Sequence, residues 1–100
     1  MITPRNPRIK ISELGEQRGF VSGNKYWVID WAELSGKRYE EGTLVKWKDL
    51  DAQPGEQKTY TALIDWMIIV DDGDVEVSLA NTPLGRIPLD ELKFIKSATK

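Results

Sequence analysis

The sequence has 100 residues, of which 40% are hydrophobic and 30% charged, and this predicts one globular domain with a thin two-layer core. The net charge of −2 argues against a dominant nucleic-acid-binding surface. Because cysteine and histidine are both missing, disulfides, thiolate nucleophiles, catalytic triads and Cys- or His-based metal sites are excluded. We therefore expect no enzymatic activity, no cofactor and no bound metal.

The N-terminal residues predict an arm rather than a folded element. Residues 1–8 contain two prolines, show no periodicity and lack the apolar centre of a signal peptide. No apolar run approaches the roughly 20 residues that cross a membrane. We expect a flexible arm over 1–8, a single β domain over 9–96 and a polar tail over 97–100. We also expect a cytoplasmic protein without a membrane partner.

Strand patterns separated by turns follow in the first half of the chain. Residues 8–12 alternate polar and apolar side chains and predict a short strand, residues 25–31 predict the first long strand, and residues 43–48 predict another. Residues 32–34 could continue the long strand as a helical turn. The side chains expected to point inward from the two longer strands are Trp27, Ile29, Trp31, Val45 and Trp47.

Residues 58–70 fit two structures. Their β-branched and aromatic side chains favour a strand, whereas the apolar spacing of Leu63, Trp66, Met67 and Val70 partly fits a helix. Apolar side chains crowd both faces after residue 65, as they do in a buried central strand. We predict a long, bent strand, and the alternative is an α+β fold with a helix at 58–70.

The last third predicts a hairpin and a single helical turn. Asp-Gly at 72–73 has the composition of a tight primed turn, and the returning strand 75–79 alternates regularly. Residues 88–92 predict one 3-10 turn before a closing strand. The fold is therefore expected to be mostly β: a small barrel or two-sheet roll of five to seven short antiparallel strands. Its predicted core is Ile29, Val45, Ile68, Val77, Leu79, Leu92 and Phe94.

The stretches 74–79 and 85–95 together resemble the end of SH3-like barrels, Tudor domains in particular. Such barrels often finish as strand, tight turn, strand, a single 3-10 turn with a Pro-Leu-x-x-Leu pattern, and a final strand. Here that pattern reads Pro-Leu-Asp-Glu-Leu at 88–92. The resemblance covers about a quarter of the chain. It implies an SH3-like fold and carries no ligand with it, because no positions match a Tudor aromatic cage.

Candidate chemistry is sparse among the carboxylates. The acidic run at 71–74 lacks the alternating ligands and the distal glutamate of a calcium loop, so a plain hairpin turn explains it better. Asp30 and Asp65 each interrupt an apolar strand. One interpretation is a pair of carboxylates for acid–base catalysis. The better interpretation is that the two side chains are solvated or hydrogen-bonded to a neighbouring turn.

Cations stand beside aromatic side chains at 25–27 and 46–48. Single-strand nucleic-acid binders combine the two in this way, and core tryptophans flanked by surface lysines produce the same pattern. We predict a non-catalytic module that binds another protein, such as a small partner-blocking protein of a virus or mobile element. The alternative is an OB-like single-stranded nucleic-acid binder. The predicted binding residues are Lys25, Tyr26, Lys46 and Lys48.

Overall fold

The computed structural model describes residues 2–21 and 23–98; residue 1 of the predicted arm and residues 99 and 100 of the predicted tail lie outside them. Within these residues the chain forms ten strands and one short 3-10 helix, Leu89–Glu91, so the mostly β prediction is confirmed. No helix in the described part is long and apolar enough to span a membrane. The strands are β1 (Lys10–Ile11), β2 (Leu14–Val21), β3 (Asn24–Ile29), β4 (Trp31–Leu34), β5 (Lys37–Glu40), β6 (Leu44–Lys48), β7 (Thr59–Val70), β8 (Val75–Leu79), β9 (Ile87–Pro88) and β10 (Lys93–Lys96).

Antiparallel pairing gathers these strands into two sheets. A small sheet has the order β1–β4–β5. The larger, seven-stranded sheet is built on β7, which pairs with β6 through residues 59–63, with β3 through 67–70 and with β8 through 64–69. Strands β10, β2 and β9 extend it beyond β6, β3 and β8. The described strands close no barrel, so the two-sheet form of the prediction applies.

There are more strands than the five to seven expected, for two reasons. The predicted strand 25–31 breaks at Asp30, where the Ser12 hydroxyl accepts the backbone N–H groups of Asp30 and Trp31 at 2.8 and 3.3 Å. Residues 32–34 then continue in β4 rather than as a helical turn. In addition, residues 14–21 and 37–40, which lie between the strands predicted from sequence, form strands of their own.

Residues 59–70 form one strand, which confirms the predicted bent strand and shows that the helical alternative is wrong. The pairing with β8 is irregular between Ile64 and Trp66, which marks a β-bulge. The bulge adds one residue to the usual two-residue alternation. As a result Ile64, Met67 and Ile69 all point into the core, although regular alternation from Ile64 would turn the other two outward.

The core lies between the two sheets, and the sequence identified most of it. Of the seven predicted core residues, all except Phe94 are buried. Phe94 is half-buried and meets the buried Tyr39 ring edge-on, with 5.7 Å between ring centroids. At about 25 cal/mol per Å² of buried apolar surface, this cluster supplies the main stabilising contribution to the fold.

The β7–β8 hairpin is present where it was predicted, but the prediction that a primed turn closes it is wrong. A type I′ turn needs positive φ at both central residues and a type II′ turn needs it at the first, whereas of Asp72 and Gly73 only Gly73, the second, has positive φ, at +96°. The Asp72 carboxylate accepts the backbone N–H of Asp74 at 3.0 Å, which favours the longer four-residue loop. The two-residue turn with positive φ lies instead between β4 and β5, at Ser35 and Gly36.

The N-terminal arm, predicted to be flexible, lies against the tip of this hairpin. The backbone N–H of Arg5 donates to the Gly73 carbonyl at 2.8 Å. The Arg5 guanidinium lies 3.3 Å from Asp72 and 3.2 Å from Asp74. Further along, Ile9 is buried in the core. These contacts dock residues 5–9 onto the domain.

Candidate functional site

The large sheet has an inner side that packs on the core and an outer side that faces the opposite way. Before the bulge, the outward side chains of β7 are Thr61 and Leu63; after it they are Trp66, Ile68 and Val70. Because the bulge keeps the inner side continuous, both halves of β7 face outward on the same side of the bent sheet. Each half carries a chemically different surface.

The first surface, which we call the lysine face, spans β10, β6 and the first half of β7. Lys46 lies directly opposite Lys93 on β10 and opposite Thr61 on β7. The lysines of this face are exposed, and Leu63 retains 48% of its accessible surface. The lysine face consists of Leu44, Lys46, Lys48, Thr59, Thr61, Leu63, Lys93 and Lys96.

No described carboxylate forms an ion pair with a lysine of this face. The ion pairs found in residues 2–21 and 23–98 all use arginine. Lys46 and Lys93, two cations in directly opposite positions, repel each other. The lysine face is therefore a patch of positive charge without an ion-pair partner among the described residues.

The aromatic residues next to these lysines in sequence point the other way. Trp47 and Tyr60 pair across β6 and β7 with ring centroids 6.1 Å apart, on the inner side of the sheet. The Trp47 indole N–H donates to the Glu91 carboxylate at 3.2 Å, which fixes the ring there. The alternation predicted for Val45 and Trp47 as inward residues is confirmed.

The second surface, the aromatic face, lies around the second half of β7. Ile68 and Val70 point outward yet are only 1% and 3% exposed. Tyr26 and Trp66 are half-buried beside them, with ring centroids 6.4 Å apart and ring planes tilted by 48°. An open hollow of about 280 Å³ lies between β2, β3 and β7. The aromatic face consists of Arg18, Tyr26, Val28, Trp66, Ile68 and Val70.

Charged side chains surround the aromatic face. Glu76 on β8 lies opposite Ile68 and pairs with Arg86 at 3.4 Å. Asp30 and Asp65, the two strand carboxylates considered from sequence, line one small depression beside Trp66. Both are exposed, so they lack the burial that prepares a catalytic acid. In the described chain, no group of three or more acidic, Cys or His side chains is placed to hold a metal ion.

The structure separates the four predicted binding residues. Lys46 and Lys48 lie together on the lysine face, whereas Tyr26 lies on the aromatic face. Tyr26 pairs with Val70 and Lys46 with Thr61, nine positions apart on β7 (70 − 61), which is up to about 30 Å along the strand.

Lys25 belongs to neither face. It precedes Tyr26 on β3 and therefore points to the opposite side of that strand. Its backbone N–H donates to the Asp71 carboxylate at 3.3 Å, at the β7–β8 turn. The four predicted binding residues are thus divided between two surfaces, and Lys25 lies outside both.

Sequence reasoning missed Arg18, Trp66 and Lys93 as surface residues of interest. Trp66 had no clear local signal, because apolar residues on both faces of 66–70 predict a strand buried on both sides. Lys93 had no local signal, since its position opposite Lys46 depends on how β10 pairs. Arg18 lies within an irregular step of the β2–β3 pairing, between Gln17 and Gly19, which local sequence does not reveal.

Comparison with protein-family models, with curated proteins and with solved structures found no match to this chain. Its function is therefore inferred from the chemistry of the two faces alone.

Proposed function

We propose that this protein is a non-catalytic binding module that acts through contact with another protein, using the aromatic face. One observation supports this above the others. The half-buried rings of Tyr26 and Trp66 lie 6.4 Å apart and line an open hollow together with Val28 and Arg18. A compact apolar patch in this position marks an interaction surface in soluble proteins.

The composition of the patch matches the anatomy of protein interfaces. Such interfaces place aromatic anchors at the centre and polar or charged side chains on the rim. Here Tyr26 and Trp66 form the centre, and Arg18 and the Glu76–Arg86 pair form the rim. A module of this kind needs no reacting group. A small partner-blocking protein of a virus or mobile element would act in this way.

The test is binding by truncation variants. A partner captured from the native host is purified and titrated against the wild type, Tyr26→Ala and Trp66→Ala. We expect each variant to lose about tenfold or more in affinity, or roughly 1.4 kcal/mol, because aromatic anchors dominate interface energies. The matched control is Trp31→Ala, which removes a half-buried aromatic side chain from the small sheet, where Arg38 stacks on it at 4.6 Å.

The control should bind like the wild type, and thermal unfolding should show that every variant is folded. If Tyr26→Ala and Trp66→Ala bind the captured partner with wild-type affinity while folded, the aromatic face is not the binding surface. If Trp31→Ala is the variant that loses affinity, the small sheet takes that role.

Single-stranded nucleic-acid binding is the second candidate, and one observation favours it. Arg18 lines the same hollow as Tyr26 and Trp66, so a cation stands beside two partly exposed rings. Bases stack on such rings while cations contact phosphates. Titration with single-stranded DNA or RNA, followed by tryptophan emission, distinguishes the candidates. Quenching that weakens strongly between low and high salt, and that is lost in Trp66→Ala, would favour nucleic acid.

A further inference from the structure

We propose that the lysine face is a second docking surface and that its partner is an extended acidic segment of a protein. This goes beyond the function proposed for the aromatic face and depends on different residues. The starting observation is the charge. Lys46, Lys48, Lys93 and Lys96 share one sheet face, all four are exposed, and none is paired with a described carboxylate.

The arrangement has a cost for the free protein. Like charges directly opposite each other on neighbouring strands are destabilising, and Lys46 and Lys93 are in this position. A glutamate at either site would turn the repulsion into attraction. Elsewhere the same fold does place opposite charges across strands, since Lys10 lies opposite Glu33. An acidic partner would supply the missing counter-charges to the lysine face.

The spacing of the lysines fits an extended chain. Lys46 and Lys48 are two residues apart on β6, which is about 7 Å, and neighbouring strands lie about 5 Å apart. Alternate side chains of an extended peptide also repeat at about 7 Å. A segment with an acidic residue at every second position therefore presents its carboxylates at the spacing of these two lysines.

Apolar side chains at one end of the face refine the partner further. Leu44 lies directly opposite Leu63, and Leu63 is 48% exposed. The exposed Leu63, beside the half-buried Leu44, would contact an aliphatic side chain of the partner. The chemistry thus indicates an acidic segment that ends in one or two leucine-like residues.

The same geometry favours protein over single-stranded nucleic acid at this face. Unpaired bases bind by stacking on aromatic rings. The lysine face has no ring, because Trp47, Tyr60 and Phe94 point to the inner side of the same strands. Phosphates would contact the lysines of this face, but the bases would have no aromatic ring on which to stack.

The experiment is a fluorescence anisotropy titration with a labelled peptide in which glutamate and threonine alternate and the last two residues are leucine. A peptide with glutamine for every glutamate is the ligand control. At about 50 mM salt we expect the glutamate peptide to bind at least tenfold more tightly than the glutamine peptide, and to weaken severalfold at about 300 mM salt. The Lys46→Gln/Lys93→Gln variant should bind about 2- to 30-fold more weakly, since it removes two exposed charge contacts.

A matched variant, Lys10→Gln/Lys25→Gln, has the same net charge but leaves the lysine face intact. It should bind within about twofold of the wild type, as should Tyr26→Ala, so failure here is distinguishable from failure of the aromatic face. Equal weakening in both lysine variants, or equal binding of the two peptides, would overturn the proposal. Complete displacement of the peptide by a lower concentration of single-stranded DNA would also overturn it, in favour of nucleic acid.

Discussion

Replacing Lys93 by glutamate should stabilise the protein. Lys93 lies directly opposite Lys46 across β10 and β6, and both side chains are exposed. The change removes a repulsion and adds an attraction, each worth about 0.2–1 kcal/mol in a sheet. After allowance for solvent screening we expect a gain of about 0.5–1 kcal/mol. For a domain of this size that corresponds to a rise in Tm of about 2–8 °C.

Thermal unfolding followed by circular dichroism measures this gain, and the register provides two controls. In a Lys46→Ala background, Lys93→Glu should lose most of its effect, because the partner charge is missing. Lys10→Glu changes the net charge by the same amount, but it places like charges opposite each other at Lys10 and Glu33 and should destabilise.

Salt provides a further check. The stabilisation by Lys93→Glu and the destabilisation by Lys10→Glu should both become smaller when the ionic strength rises from about 20 to 500 mM. A Lys93→Glu gain that persists unchanged in the Lys46→Ala background would show that the two residues are not cross-strand neighbours. Equal shifts of the same sign from Lys93→Glu and Lys10→Glu would show that only net charge is being measured.

Three other predictions test the fold. Val77→Ala should lower the free energy of unfolding by about 1–4 kcal/mol in urea titration, since Val77 is fully buried, and a loss below about half a kcal/mol would contradict the face assigned to β8. Gly15→Ala should cost about 1–3 kcal/mol, because its Cβ would lie 2.8 Å from a β3 carbonyl oxygen, whereas Gly85→Ala meets nothing within 4 Å and should change little. Burial raises the pKa of the Tyr39 hydroxyl above 10.0, so the unfolded chain loses this proton at lower pH than the folded protein does. The free energy of unfolding should therefore fall as the pH rises through and beyond 10. The Tyr39→Phe variant should show a smaller fall between about pH 9 and 11.

Residues 58–70 show why a bent strand can look helical in sequence. In a regular strand, successive inward-facing residues are two positions apart. The bulge between Ile64 and Trp66 adds one residue, so that two successive inward-facing residues are three positions apart. The inward residues Ile64 and Met67 are therefore spaced as on a helix. The bulge itself depends on pairing with β8, so local sequence cannot reveal it. The β-branched and aromatic content was the more reliable guide.

The candidate site shows a second limit of sequence patterns. Alternation within a strand correctly predicted that Trp47 points inward while Lys46 and Lys48 point outward. It could not predict which strands are neighbours. The expected joint surface of Tyr26 and Lys46 required β3 and β6 to lie side by side, whereas each of them pairs with a different half of β7. Contacts of this kind are set by topology.

The bulge also explains why the two proposed surfaces belong to one molecule without forming one site. By restoring the inward direction of Met67 and Ile69, it leaves both halves of β7 facing outward on the same side of the sheet. The centres of the lysine face and the aromatic face on β7, Thr61 and Ile68, are nevertheless seven positions apart, up to about 24 Å along the strand, compared with a Debye length of about 8 Å at physiological salt. Charge on one face therefore has little influence on binding at the other. A partner that contacts both would need to span the length of β7, and its affinity would respond to Trp66→Ala and to Lys46→Gln as two separate losses that add.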